Sequence, residues 1–306
     1  MDLQSLIHTA SPTRPLLCME VNPPRGVDLA AILKRLDGGA LDGVDFLNIT
    51  DSALARMKLA AIPLAAIFKQ RFGVEALVNI SCRDRNLIAI QGDLLGAWAL
   101  GLRSFVALTG DAVSIGDSPQ RKGVYEVNSI GLLNVIKTLN EGKDLAGNDL
   151  KGAPSIVPGV VVNPNANNKG AEIRRLAKKK DAGACYALSQ PVFEEESSMQ
   201  FFKEAAEVGV PIFMGLLPIN SLHSAQTMSA IPGVKITGPI AEAVKAGDEA
   251  GLPALSIAHC LRLAEINRPF VCGYHVITGA SAKLAVQLTQ SLRQYIASLP
   301  SGEKQI

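Results

Sequence analysis

A carboxylate inside an apolar run is the feature near the start of the chain with the clearest chemical potential. Glu20 stands among Leu16, Leu17, Met19 and Val21. A buried carboxyl group either pairs with a cation or keeps its proton, because burial disfavours the charged form and raises the pKa. A carboxyl group with a raised pKa is a natural general acid near neutral pH. The sequence leaves both interpretations of Glu20 open, catalysis and a structural ion pair.

Mostly polar residues also follow the other apolar runs. They are Thr50 and Asp51; Ser81, Arg83 and Asp84; Thr109, Gly110 and Asp111; Asn163 and Asn165; Gln190; Pro218 and Asn220; and His275 and Thr278. Taken singly, most have a structural explanation, since Thr, Ser and Asn after a strand commonly cap a helix and Asp111 follows a Thr-Gly turn. The apolar context of His275 favours a satisfied core histidine. Together, however, such residues could line one site.

A cluster of cations marks one predicted helix. The cations are Arg174, Arg175, Lys178, Lys179 and Lys180, and Glu172 lies on the same helix. Such a cluster is either a solvated face with ion pairs within the helix or a contact surface for phosphate or pyrophosphate. The residues alone leave both interpretations open.

Short apolar runs alternate with helical patterns along the whole chain. The predicted strands are Leu16–Val21, Phe46–Thr50, Ala76–Ser81, Ser104–Thr109, Ile156–Val162, Ala184–Ser189, Ile212–Leu217 and Phe270–Thr278. The predicted helices between them include Ala53–Arg71, Leu87–Leu100, Val127–Asn140, Ala171–Lys180, Ser197–Val208 and Ser221–Ala230. Continuous apolar runs are typical of parallel strands that are buried on both faces.

Eight successive strand–helix units predict an α/β fold, a single (β/α)8 TIM barrel with a few extra helices. The chain of 306 residues fits one such domain, residues 1–306. Within it we expect an N-terminal extension over residues 1–14 and a helical insertion over residues 239–267 before the last strand. A TIM barrel places its active site at the carboxyl ends of the strands. The polar residues that follow the apolar runs should therefore meet at one mouth.

The composition restricts the classes of partner. Lys and Arg number 30 against 28 Asp and Glu, so we expect neither a nucleic-acid nor a membrane partner. The five scattered cysteines form no C-x-x-C pair, which predicts reduced thiols and no metal site. With no signal-like N-terminus and no long apolar segment, the sequence predicts a cytoplasmic protein. It leaves open whether copies associate into a homo-oligomer.

Several motifs, in this order, resemble the methylenetetrahydrofolate reductase family. They are MEVNPPRG, NISCRDRN, GDLLGAWALG, SFVALTGD, DAGACYALSQPVF and GVPIFMGLLPIN, which together span about residues 16 to 230. The resemblance implies a β/α barrel that binds FAD noncovalently. It further implies that a hydride passes from NAD(P)H or a protein electron donor through FAD to 5,10-methylenetetrahydrofolate, which becomes 5-methyltetrahydrofolate.

The resemblance also implies roles for individual residues. Glu20 corresponds to the general acid that protonates a folate ring nitrogen, and Asp111 to a catalytic carboxylate near the flavin and the pterin. Gln190, Thr50 and Leu222 correspond to substrate-binding positions. The implied FAD-binding positions are Asn79, Thr109, Gly110, Asp111, Tyr125, Asn163, Asn167, Glu172, Arg175, Lys178 and Lys179.

The sequence departs from the family pattern at three of these positions. Asn163 and Asn167 stand where better-known members carry an aromatic residue and a histidine near the flavin, and Leu222 stands where an aromatic residue often packs on the ligand. The electron donor therefore stays open between NAD(P)H and a redox protein. Two alternatives also stay open: a folate- or flavin-binding subunit of a larger electron-transfer complex, and a flavin-independent folate reductase on the same barrel.

Overall fold

The backbone of the computed structural model forms a closed barrel of eight parallel strands. The structure describes residues 3–279 and 281–300. Each strand pairs with its neighbours in chain order, and β8 closes the barrel against β1. The strands are β1 Leu16–Val21, β2 Phe46–Ile49, β3 Glu75–Ser81, β4 Ser104–Leu108, β5 Val157–Val162, β6 Tyr186–Pro191, β7 Ile212–Leu216 and β8 Gly273–Val276. The prediction of a (β/α)8 TIM barrel is confirmed.

Helices surround the barrel and connect its strands. They are α1 Leu3–Thr9, α2 Ala30–Leu36, α3 Ala61–Phe72, α4 Leu87–Ala99, α5 Ser129–Asn140, α6 Lys169–Asp181, α7 Glu195–Ala206, α8 Leu222–Ser229, α9 Gly238–Ala246, α10 Leu252–Asn267 and α11 Ala282–Ser298. Helices α9 and α10 both lie between β7 and β8. Within the described residues, no helix is both long enough and apolar enough to cross a bilayer.

The barrel interior is filled with side chains at the amino ends of the strands. Cys18, Phe46, Leu77 and Phe213 belong to one buried cluster there, and Leu3 of α1 packs into the same cluster. Helix α1 therefore covers this end of the barrel. Side chains alternate between the two faces of a strand, so β1 also directs Glu20 to the interior, two residues beyond Cys18. The carboxyl ends of the strands, at the opposite end of the barrel, are therefore available to form a functional site.

The predicted helix Ala53–Arg71 is wrong over its first half. A 3-10 turn spans Ala53–Ala55, and the α-helix begins only at Ala61. Pro63 explains the difference, because proline has no N–H and is accepted only in the first turn of a helix. A helix that began at residue 53 would place Pro63 in its interior.

The last predicted strand, Phe270–Thr278, is too long at both ends. A 3-10 turn occupies Arg268–Phe270, and β8 covers only Gly273–Val276. Gly273 lies so close to β1 that an added Cβ would stand 2.2 Å from the carbonyl oxygen of Leu16. A glycine is therefore required where this strand begins.

Candidate active site at the barrel mouth

Glu20 points into the barrel mouth, and its carboxyl group receives two hydrogen bonds. Asn22 Nδ2 donates to Glu20 Oε1 over 3.0 Å, and the Thr278 N–H donates to the same oxygen over 3.2 Å. Burial nevertheless raises the pKa of Glu20 from 4.5 to about 7, because desolvation outweighs these two bonds. No cation in the described part of the chain forms an ion pair with Glu20. The structural ion pair is therefore the wrong interpretation.

A short hydrogen-bonded chain connects Glu20 to the end of β2. The Thr50 hydroxyl donates to Asn22 Oδ1 over 2.8 Å, while the amide nitrogen of Asn22 donates to Glu20. The two bonds fix the orientation of the Asn22 amide and of the carboxyl group behind it. Sequence reasoning missed Asn22, although its place two residues after Glu20, immediately beyond β1, marked it as a candidate.

Three buried amide and imidazole groups form a polar layer inside the barrel. Asn48 Nδ2 and His275 Nε2 lie 3.1 Å apart, and burial lowers the pKa of His275 to about 4, so the ring is neutral at pH 7. Asn48 Oδ1, Asn79 Oδ1 and His275 Nδ1 are buried and have no hydrogen-bond partner among the described residues. The sequence predicted a buried histidine whose ring nitrogens have hydrogen-bond partners. His275 is buried as predicted, but among the described residues only its Nε2 has a partner. Buried polar atoms without partners are rare in proteins, and here they can serve a ligand.

A cleft of about 810 Å³ opens at the carboxyl ends of β4, β5 and β6 and beside α6. We call it the β4–β6 cleft. It brings together seven of the predicted ligand-binding residues: Thr109, Asn163, Glu172, Arg175, Lys178, Lys179 and Gln190. Arg174, one of the cations for which the sequence left a phosphate contact open, also lines it, and so do Asn128, Ser129, Pro232 and Gly233, which were not predicted. Asn128 carried a recognisable pattern, because an Asn before a helical run is a common N-cap, and here it caps α5.

The cations of α6 divide between two roles. Lys179 is buried, its ammonium group donates to the Val161 carbonyl oxygen over 2.6 Å, and burial lowers its pKa. Arg175 lies 3.4 Å from Glu172, whose other carboxylate oxygen accepts the Asn163 N–H. Lys178 is exposed on the cleft and has no ion pair among the residues described. The helix therefore combines internal contacts with at least one cation that is free to meet an anion.

Asp111 holds a strained loop after β2. Its carboxylate accepts the Leu54 N–H over 2.6 Å, and its main-chain oxygen accepts the Tyr125 hydroxyl over 2.7 Å. Leu54 has φ 59°, and its neighbours Ser52 and Ala55 have φ 45° and 53°. Left-handed non-glycine residues cost about 1–3 kcal/mol each and persist only where the surroundings fix them. Asp111 thus has a structural contact besides the catalytic role that the resemblance implies.

Gly110 sits where the ends of β3 and β4 come close together. Its φ is +95°, and an added Cβ would lie 2.2 Å from Ser81 Oγ and 2.8 Å from Arg83 Cβ. Only glycine fits this position without a shift of neighbouring atoms. The neighbouring Thr109 hydroxyl accepts the Ser129 N–H over 3.0 Å and so connects β4 to the start of α5.

Besides Glu20 and Thr50, six predicted residues do not line the β4–β6 cleft: Asn79, Gly110, Asp111, Tyr125, Asn167 and Leu222. Asn167 accepts a hydrogen bond from Lys235 over 2.9 Å, and Leu222 packs at the start of α8 against an apolar cluster that includes Leu217. The ligand contacts assigned to these positions stay predictions.

Comparisons with known proteins agree with this architecture. A solved structure of an uncharacterized protein from Clostridium thermocellum that binds two copies of 5-methyl-5,6,7,8-tetrahydrofolic acid superimposes with a TM-score of 0.66 at 13% identity, covering 96% of this chain and 100% of that one. At this identity the likeness concerns the fold.

Curated relatives match over part of their length. The 5,10-methylenetetrahydrofolate reductase of Salmonella typhimurium is 29% identical over 170 residues, which cover 55% of this chain and 52% of that protein. The enzyme of the same name from Pectobacterium carotovorum is 26% identical over 220 residues, covering 71% and 68%. The match thus spans about half the length of the Salmonella relative. The model of the family described as methylenetetrahydrofolate reductase matches residues 6–293, and the chain belongs to this family.

Proposed function

We propose that this protein reduces 5,10-methylenetetrahydrofolate to 5-methyltetrahydrofolate with FAD bound at the barrel mouth. NAD(P)H or a redox protein would supply the electrons. The observation that carries the proposal is Glu20, a half-buried residue at the mouth whose carboxyl group is desolvated enough to raise its pKa to about 7. Membership of the family supports the same reaction.

The residues of the mouth fit an FAD molecule. The β4–β6 cleft has a volume of about 810 Å³, within the usual range of about 300–1,000 Å³ for ligand pockets. Among the described residues that line it, four are cations and one, Glu172, is a carboxylate, and such an excess of positive charge suits a pyrophosphate. Asn79 Oδ1 is buried inside the barrel, has no partner in the part of the chain that the structure describes, and can accept a hydrogen bond from a ring N–H. When bound, the flavin supplies the capacity to accept and deliver a hydride.

Glu20 would supply the proton that the folate needs. A carboxyl group with a pKa of about 7 is protonated in about half of the molecules at neutral pH. Its Oε1 is engaged by Asn22 and Thr278, so the proton can sit on the other oxygen. Transfer of that proton to a ring nitrogen of methylenetetrahydrofolate would open the five-membered ring and generate the iminium that accepts a hydride.

Gln190 and Thr50 would orient the pterin. Gln190 lines the β4–β6 cleft at the end of β6, and its amide can donate and accept at once. Thr50 stands at the end of β2 and connects to Glu20 through Asn22. The two residues therefore approach the mouth from opposite sides of the barrel.

The cationic side of the cleft can be tested on Lys178. We expect Lys178→Gln to raise the dissociation constant of FAD about 10-fold, because a charged hydrogen bond contributes about 1.5–3 kcal/mol. Lys178→Arg should restore most of the affinity. Lys203→Gln removes an exposed cation on α7 and is the matched control. FAD titration followed by flavin fluorescence measures all four proteins, and equal dissociation constants for Lys178→Gln and the control would refute the contact.

The reaction itself is tested by the colour of the purified protein. We expect a yellow protein, or one that turns yellow with added FAD, whose absorbance is bleached by NADH, NADPH or dithionite and returns with methylenetetrahydrofolate. A protein that binds no FAD yet reduces the folate would be the flavin-independent reductase. A flavin-bound protein that is active only with a copurifying partner would be a subunit of an electron-transfer complex.

A further inference from the structure

The side-chain amide of Asn22 makes its hydrogen bonds to other side chains of the barrel mouth. Its Nδ2 donates to Glu20 Oε1 over 3.0 Å, and its Oδ1 accepts the Thr50 hydroxyl over 2.8 Å. Asn140, by contrast, bonds the main chain, since its amide engages both the N–H and the carbonyl oxygen of Ile156 at 2.9 Å. In the part of the chain that the structure describes, no main-chain group bonds the Asn22 amide. The amide therefore serves the acid and not the backbone.

The backbone around Asn22 fixes its place beside Glu20. Side chains alternate along a strand, so Asn22, two residues after Glu20, lies on the same face of the chain. Pro23 follows Asn22, and a residue before proline is confined to extended backbone. The Thr50 N–H donates to the Val21 carbonyl oxygen over 3.2 Å and so continues the pairing of β1 and β2 beyond the ends of the strands. The Thr50 hydroxyl is thereby held next to the Asn22 amide.

One oxygen of the Glu20 carboxyl group is held and the other is left for the proton. The Asn22 amide and the Thr278 N–H both donate to Oε1, and Oε2 accepts no hydrogen bond within residues 3–279 and 281–300. Two N–H donors favour negative charge on the oxygen that they bond, so the proton of the neutral acid lies on Oε2. Of the two donors, Thr278 acts through its main chain and Asn22 through its side chain. Asn22 can therefore be replaced without a change in the backbone that holds Glu20.

The groups around Glu20 allow the effect of Asn22 to be observed separately. Desolvation raises the pKa of Glu20 to about 7, and the bonds from the Thr278 N–H and the Asn22 amide act in the opposite direction. Strand β2 has no titratable side chain, and those on the other elements packed against Glu20 are Cys18 of β1, Tyr274 and His275 of β8, and Lys283, Arg293 and Tyr295 of α11. Among the described residues, none of them bonds Glu20. Burial raises the pKa of Cys18 and of Tyr274 and lowers that of His275 to about 4, so a titration near pH 7 reports on Glu20.

We propose that Asn22 is a positioning residue for folate reduction, which holds the Glu20 carboxyl group in one orientation and strengthens it as an acid. This inference rests on the proposed function. When the proton on Oε2 passes to the folate ring nitrogen, a carboxylate remains on Glu20, and the Asn22 N–H stabilises that negative charge. Thr50 acts one step farther away, because its hydroxyl keeps the amide from turning its oxygen toward Glu20.

The test uses Asn22→Leu, which removes the amide but keeps nearly the same volume, so that no water takes its place. We expect the pKa of Glu20 to rise by about one unit, because a hydrogen bond to a charged group contributes on that scale. Carbon NMR of FAD-loaded protein with isotope-labelled glutamate carboxyl groups measures this pKa, and the signal that Glu20→Gln removes belongs to Glu20. The rate at which methylenetetrahydrofolate recolours the reduced flavin should fall about 10-fold at pH 6. The decline of this rate with pH should begin about one unit higher than in the parent chain.

Asn140→Leu is the matched control for this experiment. Asn140 is also a half-buried asparagine with two side-chain hydrogen bonds, but it lies at the end of α5 and bonds the residue before β5, away from the mouth. This variant should keep the parent pKa of Glu20 and the parent pH profile. Thr50→Val should raise the pKa of Glu20 by a smaller amount than Asn22→Leu, and Thr50→Ser, which keeps the hydroxyl, should restore the parent value.

Two results would overturn the inference: the same pKa of Glu20 in Asn22→Leu as in Asn140→Leu, or a rate that falls by the same factor at every pH. Either would mean that Asn22 supports the structure alone. If Asn22→Leu does not fold, an unchanged pKa of Glu20 in Thr50→Val has the same consequence. Failure of the proposed function would appear separately, as a parent protein whose reduced flavin stays bleached with methylenetetrahydrofolate, while the NMR titration, which needs no turnover, would still show whether Asn22 acts on Glu20.

Discussion

Glu20→Gln is expected to bind FAD as the parent chain does but to reduce methylenetetrahydrofolate at least about 100-fold more slowly, the usual scale for loss of a general acid. Glutamine has the same shape, and its Oε1 can accept the same bonds from Asn22 and Thr278. It has no proton to give. Flavin content by absorbance and steady-state turnover of the folate, measured on the same preparation, separate the two effects.

Glu207→Gln, which removes an exposed carboxylate at the end of α7, is the control for this experiment and should keep the parent turnover. The assignment of Glu20 fails if Glu20→Gln turns over folate at a rate within about threefold of the control, since general acid catalysis contributes at least about 10². Loss of FAD from the variant would instead point to a structural role.

Gly110→Ala should have the second largest effect. The new methyl group would lie 2.2 Å from Ser81 Oγ in a backbone with φ +95°. The collision and the backbone strain together should lower the free energy of unfolding by about 2–5 kcal/mol. The shift of the ends of β3 and β4 should also weaken FAD binding at the mouth. Thermal unfolding and FAD titration measure the two consequences.

Gly101→Ala provides the matched comparison for Gly110→Ala. Gly101 has a similar φ of +83°, but an added Cβ would meet no atom within 4 Å. In this variant backbone strain alone should lower the free energy of unfolding, by about 1 kcal/mol. Its affinity for FAD should equal that of the parent chain. Equal effects of the two substitutions on stability and on FAD affinity would contradict the close approach of β3 and β4 as the cause.

The fold was predictable because local apolar runs mark each strand. The error at Ala53–Arg71 had a local cause that the sequence displayed, Pro63. No local sequence feature indicated the left-handed conformation of Leu54, because this conformation depends on the carboxylate of Asp111, which lies 57 residues away in the chain. Conformations that a distant side chain fixes cannot be obtained from local propensity.

The site was predictable to a similar degree. The partial burial of Glu20 follows from its apolar neighbours, and the raised pKa follows from the desolvation of its carboxyl group. The hydrogen bond from Lys179 to the Val161 carbonyl oxygen could not be predicted from the sequence, because nothing in the sequence of a basic helix indicates which lysine is buried. A second cavity of about 380 Å³, at the carboxyl ends of β2, β3 and β4, was also missed, because separate loops bring Arg56 and Arg121 together only in the folded chain.

The pH dependence of folate reduction isolates the proton of Glu20. An acid with a pKa of about 7 holds its proton below that pH and loses it above. His275, another ionisable side chain of the barrel interior, has a pKa of about 4 and stays neutral across this range. A change near pH 7 would therefore report on Glu20.

The most direct test is the rate at which methylenetetrahydrofolate recolours the reduced, FAD-loaded protein, measured without oxygen at a series of pH values. Glu20 as proton donor predicts a rate that is level below about pH 7 and falls about 10-fold per pH unit above it. Glu20→Gln should give a slow rate without this fall. A parent rate that does not change across pH 7, or the same fall in Glu20→Gln, would contradict the account.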